Sequence, residues 1–179
     1  CSSDLGTASG SWSTTNGTTQ GTAQVSITEG PTAGYRLLSN YSYDENGAGF
    51  YSSEIEHPEY GTSSDTGSFA GDGSGAYRSP WTKGSEYYEY TGSYAADGAW
   101  QTQSANSDGF TITMMGNADG SGSGTMIGPE ALLPANLVWG ADGKGTITWS
   151  DGTTTPFDYF GVAGVEGGSG SGSGGGEPG

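Results

Sequence analysis

The residues able to do chemistry are few and scattered. One histidine, His57, sits in the run Glu54-Ile55-Glu56-His57-Pro58-Glu59. Serine-type nucleophilic catalysis needs a histidine that a carboxylate orients and that touches a hydroxyl. Serines occur throughout the chain, so their presence carries no weight, and no Gly-x-Ser-x-Gly occurs. His57 beside Pro58 reads as a surface histidine at a turn. A single histidine among carboxylates also makes a poor zinc site, since tight sites combine several His and Cys ligands. Paired carboxylates can hydrolyse glycosides, and the 20 acidic residues supply many pairs by chance. A carboxylate-based glycoside hydrolase is therefore the residual enzymatic reading, and the expectation is a protein that is not an enzyme.

Calcium has more to hold it. The turns Asp44-Glu45-Asn46-Gly47, Asn117-Ala118-Asp119-Gly120 and Asp142-Gly143 offer hard oxygen ligands, which makes Asp44, Asn46, Asp119 and Asp142 weak calcium candidates. None fits an EF-hand loop, because the bidentate glutamate is missing at the required offset. Hairpin tips separated by two strand spacings also stand about 10 Å apart. Turn chemistry accounts for these residues without an ion, so no metal is assigned, and calcium stays a weak cofactor candidate.

The aromatic clusters are the stronger lead. Trp81 is followed by Glu86-Tyr87-Tyr88-Glu89-Tyr90 and Tyr94. In an extended strand, Tyr88, Tyr90 and Tyr94 share one face and Tyr87 takes the other. Rings turned to solvent suit sugar stacking or a protein interface. Rings turned inward would be core. Trp81, Tyr87, Tyr88, Tyr90 and Tyr94 are the candidate partner or ligand contacts.

Composition favours the inward role for much of this aromatic content. The hydrophobic share is 31%, yet the chain carries 11 Tyr, 5 Phe and 5 Trp, rings large enough to build a core from few residues. The formal net charge is −16, with Arg36, Arg78, Lys83 and Lys144 the only strong bases. That charge repels phosphate backbones and anionic lipid surfaces, so neither nucleic acid nor an electrostatically bound membrane is an expected partner. Little Lys with abundant Gly, Ser and Thr is the profile of an exported protein.

The one cysteine is Cys1. A single cysteine excludes an intrachain disulfide and every Cys-rich metal site, leaving a free thiol, a bridge to a partner or a lipid attachment point. Cys1-Ser2-Ser3-Asp4, followed by Gly/Ser/Thr to about Gly10, resembles a mature bacterial lipoprotein with its flexible tether. The resemblance implies a covalent lipid on Cys1 and, from Ser2, an outer-membrane address, with the domain either periplasmic or surface-exposed. The partners it implies are the membrane, reached through the anchor, and other envelope or extracellular proteins. Two or three acyl chains, at about 0.8 kcal/mol per buried CH₂, would anchor stably. No run of 18 apolar residues spans a bilayer as a helix.

The elements that must position these residues are β-strands. Helix signals reduce to Pro129–Leu133, closed by Pro134. Asp-Gly or Asn-Gly pairs punctuate the chain, and those at Asn46, Asp72, Asp97, Asp119 and Asp142 recur every 22–26 residues. A strand, a turn, a returning strand and a second turn need about that length. The five turns are thus expected at one end of an antiparallel meander, with connections at 57–66, 79–85, 104–109 and 128–136 at the other. Expected strands cover 22–28, 34–44, 48–57, 68–71, 74–78, 86–95, 99–104, 109–115, 123–128, 136–140, 145–150 and 154–160. Several alternate with period two, such as Phe110, Ile112 and Met114 against Thr111, Thr113 and Met115, the pattern of a sheet with one face in a core.

The expected fold is therefore all-β: an antiparallel meander closing into a barrel or sandwich, with no substantial helix. The hairpin DGKGTITWSDG, with those at 97–104 and 119–127, resembles the hairpins of small lipocalin-like barrels, which would imply a ligand cavity. A Thr/Ser/Gln face argues against a transmembrane barrel. The expected organisation is a lipid-anchored flexible tether over 1–11, one aromatic-rich β domain over 12–163, and a Gly/Ser-rich tail over 164–179. The expected function is that of a non-enzymatic surface lipoprotein, a structural or accessory subunit of a larger envelope or extracellular assembly. The alternative is a lipocalin-like lipoprotein that binds a small ligand or glycan.

Overall fold

A computed structural model describes residues 5–130 and 133–158. Cys1 and the Gly/Ser-rich segment 164–179 lie outside the described residues, as does part of the 129–133 turn. The described chain is all-β. Its strands are β1 (Leu5–Thr15), β2 (Thr18–Glu29), β3 (Arg36–Tyr43), β4 (Gly49–His57), β5 (Gly61–Phe69), β6 (Gly75–Lys83), β7 (Glu86–Tyr94), β8 (Trp100–Asn106), β9 (Thr111–Gly116), β10 (Gly122–Ile127), β11 (Ala135–Trp139), β12 (Lys144–Thr148) and β13 (Thr154–Asp158). All thirteen form one antiparallel sheet in sequential order.

The sheet is not closed. Among the described residues, β1 pairs only with β2 and β13 only with β12. Among the described residues, strands pack substantially only against their sequential neighbours, and no second layer covers either face. Among the described residues the buried apolar side chains are Ala135, Leu137 and Trp139, all on one side of β11. The expected division into a core face and a wet face thus takes a different form: both faces meet solvent.

One turn stencil builds most of the hairpins. The Asp44 N–H donates to the Ala48 carbonyl at 2.8 Å and the Gly47 N–H to the Asp44 carbonyl at 3.1 Å. The same pair of bonds recurs around Gly73, Gly98, Gly109, Gly120, Gly143 and Gly152, each with positive φ, the backbone that glycine adopts without a Cβ clash. Asn16 and Gly17, at φ 51° and 76°, make the two-residue turn between β1 and β2. The turns at Asn46, Asp72, Asp97, Asp119 and Asp142 do lie at one end of the sheet.

Three expectations change. β1 begins at Leu5, so residues 5–11, read as flexible tether, are strand. Residues 61–66, read as connection, belong to β5, and 79–83 extend β6. Gly and Asp rank low for strand formation, but 61–66 and 79–83 lie between two paired strands each, and 5–11 pairs along its length with β2.

Candidate functional site

Cross-strand partners share a face, so the register reads out each surface. One face is a ladder of hydroxyls and amides. Ser11, Thr22, Asn40, Ser52, Thr66, Arg78, Thr91, Gln103, Thr113, Thr125, Asn136, Thr148 and Thr154 lie directly opposite one another in an unbroken row across all thirteen strands. The ion pairs Arg36–Glu56 and Arg78–Glu89 decorate this face and are largely exposed, so each contributes little to stability.

The other face alternates aromatic rings with glycines. Trp12, Gly21, Tyr41, Tyr51, Gly67, Tyr77 and Gly92 form one row. Tyr43, Gly49, Phe69, Gly75, Tyr94, Trp100, Gly116, Gly122, Trp139, Gly145 and Phe157 form the next. A Cβ added at Gly21 would overlap the ring of Tyr41, at Gly67 that of Tyr51, and at Gly92 that of Tyr77. The same holds for Gly75 with Tyr94, Gly116 with Trp100, Gly122 with Trp139 and Gly145 with Phe157. Each ring lies down on a neighbouring backbone that has no side chain of its own. In a sheet without a second layer, this cross-strand cover is how an aromatic side chain loses water.

The pairing follows a rule of direction. In an antiparallel ladder each residue turns its N–H and C=O to one neighbour only. The Asp44 to Ala48 bond turns Asp44 toward β4, so by alternation Tyr43 and Tyr41 turn toward β2, and Tyr41 covers Gly21 there. The corresponding turn bonds at Ala70, Ala95, Asn117 and Gly140 place the other six pairs the same way. In all seven, the ring covers the glycine of the strand to which its own residue is hydrogen-bonded.

Among the described residues Trp139 is the best-buried ring, 3% exposed. Its Nε1–H donates to the Gly120 carbonyl at 3.0 Å, and it stacks with Trp100 at 6.3 Å and meets Phe157 edge-on at 6.5 Å. Tyr77 packs on Tyr90 at 5.4 Å. Its phenol is pushed up to about 12, first by desolvation and then by its hydrogen bond to Tyr90. Near the middle of this face, Asp65 accepts hydrogen bonds from the hydroxyls of Ser79, Ser63 and Ser53.

The expected contact residues divide between the faces. Trp81 and Tyr88 are direct partners on the ring face, and Tyr90 and Tyr94 share it, while Tyr87 projects from the ladder face beside Thr82. The Trp81 Nε1–H donates to the Tyr60 carbonyl at 2.8 Å. Sequence reasoning overlooked the rings of Tyr41, Tyr51, Tyr77, Trp100, Trp139 and Phe157. The available signal was glycine inside strand segments, which marks close approach by another group.

His57 has a structural position rather than the open one expected of a turn-side histidine. It is partly buried between Tyr35 and Tyr60, each ring centroid 4.5 Å away. Its Nε2 pairs with the Ala33 carbonyl at 2.9 Å, so it carries the proton. Its Nδ1 accepts from the Glu59 and Tyr60 N–H groups. Both ring nitrogens are committed to backbone, and neither addresses a hydroxyl.

The calcium candidates sit in separate turns, with no group of three His, Cys, Asp or Glu residues placed to share an ion among the described residues. Asp44 Oδ1 accepts from the Asn46 and Ala48 N–H groups, Asp119 Oδ1 from the Ser121 N–H and Oγ, and Asp142 Oδ1 from the Lys144 N–H. Asp72, Asp119 and Asp151 are held below the ordinary aspartate value, chiefly by the hydroxyls of Ser74, Ser121 and Thr153. A lowered folded-state pKa stabilises the fold above the unfolded value, and that contribution disappears as pH falls through the folded one. Ser121→Ala should therefore move the Asp119 titration upward in a carboxyl-carbon NMR experiment, leaving Asp72 and Asp151 in place. Unchanged Asp119 titration would show that the hydroxyl does not hold the carboxylate.

No family model, curated protein or solved structure matches the chain.

Proposed function

We propose that this chain is a non-enzymatic surface lipoprotein of a bacterial outer membrane, serving as a structural or accessory subunit of a larger envelope or extracellular assembly. The observation that carries the reading is the bare ring face. Among the described residues no second layer covers the sheet, so Tyr41, Tyr43, Tyr51, Tyr88 and Tyr94 are each at least 36% exposed on this face, as Phe50, Met115, Ile127 and Val138 are on the other. Contiguous exposed apolar area of this kind marks interaction surfaces, and aromatic residues are the usual anchors of protein interfaces. The membrane address rests on the likeness of Cys1-Ser2-Ser3-Asp4 to mature lipoproteins. The intact mass of the natively isolated protein, with its N-terminal peptide fragmented, tests it. A diacylglyceryl or triacyl adduct on Cys1 is expected, and an unmodified cysteine would sink the anchored reading.

One observation favours glycan binding as a second reading. Rings lying flat over glycines present their outer faces as stacking platforms for sugar rings. Retention on insoluble polysaccharide that falls with Tyr41→Ala and Tyr51→Ala would support it. Unaltered retention would leave the assembly role.

A further inference from the structure

Among the described residues no strand pairs with the outer side of β1 or β13, and these two edges differ. β13 is five residues long and contains Pro156 and Asp158, features that blunt an edge against pairing. β1 is eleven residues long, LGTASGSWSTT, with no charge and no proline. Nothing on it opposes strand addition. In a chain of net charge −16, this uncharged margin is also where two copies can approach with least repulsion.

The ring rule adds a specific vacancy. The Ile27–Gly34 and Ile27–Tyr35 bonds turn Ile27 toward β3, so Val25, Ala23 and Gly21 also face β3, and Ser26, Gln24 and Thr22 face β1. Their partners Thr7, Ser9 and Ser11 face inward. Ala8, Gly10, Trp12 and Thr14 therefore turn their N–H and C=O groups outward. Trp12 is 75% exposed, the most exposed of the large apolar side chains. Gly21, its neighbour within the sheet, is already covered by Tyr41. No ring lies closest to Gly10: the atoms nearest an added Cβ there belong to Thr22 and Ala23. Trp12 is thus a ring without its glycine, and Gly10 a glycine without its ring, two residues apart on one edge.

We infer that β1 pairs with β1 of a second copy, antiparallel, about a two-fold axis at Ser11. This register sets Trp12 of each copy opposite Gly10 of the other in a hydrogen-bonded pair, the geometry of all seven ring–glycine pairs within the sheet. Ala8 and Thr14 pair by the same bonds, and Ser11 meets Ser11 in a non-hydrogen-bonded pair. A one-residue slip would set outward groups against inward ones. A two-residue slip would set Gly10 on Gly10 in one direction and Trp12 on Trp12 in the other, and neither brings a ring opposite a glycine. The result is a continuous sheet of two chains, isologous in contact.

Disulfide trapping in the full chain carrying Cys1→Ser tests both the contact and its register. Opposed residues of a non-hydrogen-bonded pair have Cα atoms about 4.5 Å apart, within reach of a disulfide. Ser11→Cys is expected to cross-link to itself. Ser9→Cys and Ser13→Cys are each expected to stay single alone and to cross-link when mixed. In sedimentation, the chain should run at twice its mass, and Trp12→Ala should weaken the dimer at least about tenfold, with Trp12→Phe recovering most of the loss. Monomers at every concentration would overturn the inference, as would Ser9→Cys cross-linking alone as readily as Ser11→Cys. A Trp12→Ala protein that unfolds below the melting temperature of Trp12→Phe would shift the decision to the cross-links, which do not alter the ring.

Discussion

Replacing Trp139 with alanine should cost about 3–5 kcal/mol, the range for removing a large buried ring. The residue has three roles that a smaller side chain cannot share. It covers Gly122, it joins Trp100 to Phe157, and its indole N–H occupies the Gly120 carbonyl at the neighbouring turn. With Ala135 and Leu137 it makes up the buried apolar set among the described residues, a core too small to collapse into the gap. Total stabilities of domains lie at about 5–15 kcal/mol, which makes this change enough to unfold the C-terminal strands at modest temperature. Urea denaturation of Trp139→Ala and Trp139→Phe separates the roles. Phenylalanine should keep the ring cover and lose the hydrogen bond, at about 1–2 kcal/mol. Equal midpoints for wild type and Trp139→Ala would mean that the ring face contributes nothing to stability.

Gly49→Ala should be nearly as damaging, by about 3 kcal/mol, at the upper end of overpacking costs. A methyl group there would overlap the Ser42 carbonyl oxygen and come within 2.8 Å of the Tyr43 Cα. These are backbone atoms of the paired strand, so no side chain can swing aside, and β3 and β4 must part where their turn begins. Gly47, two residues away, provides the control. It has φ +81° and nothing within 4 Å of an added Cβ. Gly47→Asn, which tolerates that backbone, should stay within about 0.5 kcal/mol of wild type. Thermal melts of the two variants would contradict the steric account if Gly49→Ala were the milder.

The legible part of this fold was its punctuation. Asp-Gly and Asn-Gly state a turn by their own backbone preferences, so the five turns at one end could be placed from sequence. Alternation did the same for Phe110, Ile112 and Met114 on β9 and its approach. What escaped was strand with little apolar alternation to mark it. β1 and β5 consist largely of Gly, Ser and Thr, and pairing with β2, and with β4 and β6, holds them extended. The site escaped for a related reason. Tyr51 covers Gly67 and Trp139 covers Gly122 only because register places them opposite, and register is a property of two segments together. Tyr88 and Trp81 could be proposed as contacts because their rings are clustered in sequence, but their direct pairing appears only in the sheet.

Because each described strand touches little beyond its neighbours in sequence, the sheet is close to one-dimensional. Its energy is a sum over hairpins and the junctions between them, as in stacked repeat proteins. Contacts of this kind are short in sequence, and chains rich in them fold quickly for their size. Such a sheet has no central core whose volume fixes the number of strands. A duplicated hairpin that brings its own Asp-Gly turn and its own ring and glycine can be spliced between two others without repacking the rest. The Ala-Asp-Gly turns at 96–98, 118–120 and 141–143 are what growth by that route would leave behind, and the length of such a chain is then set by how far its sheet must reach.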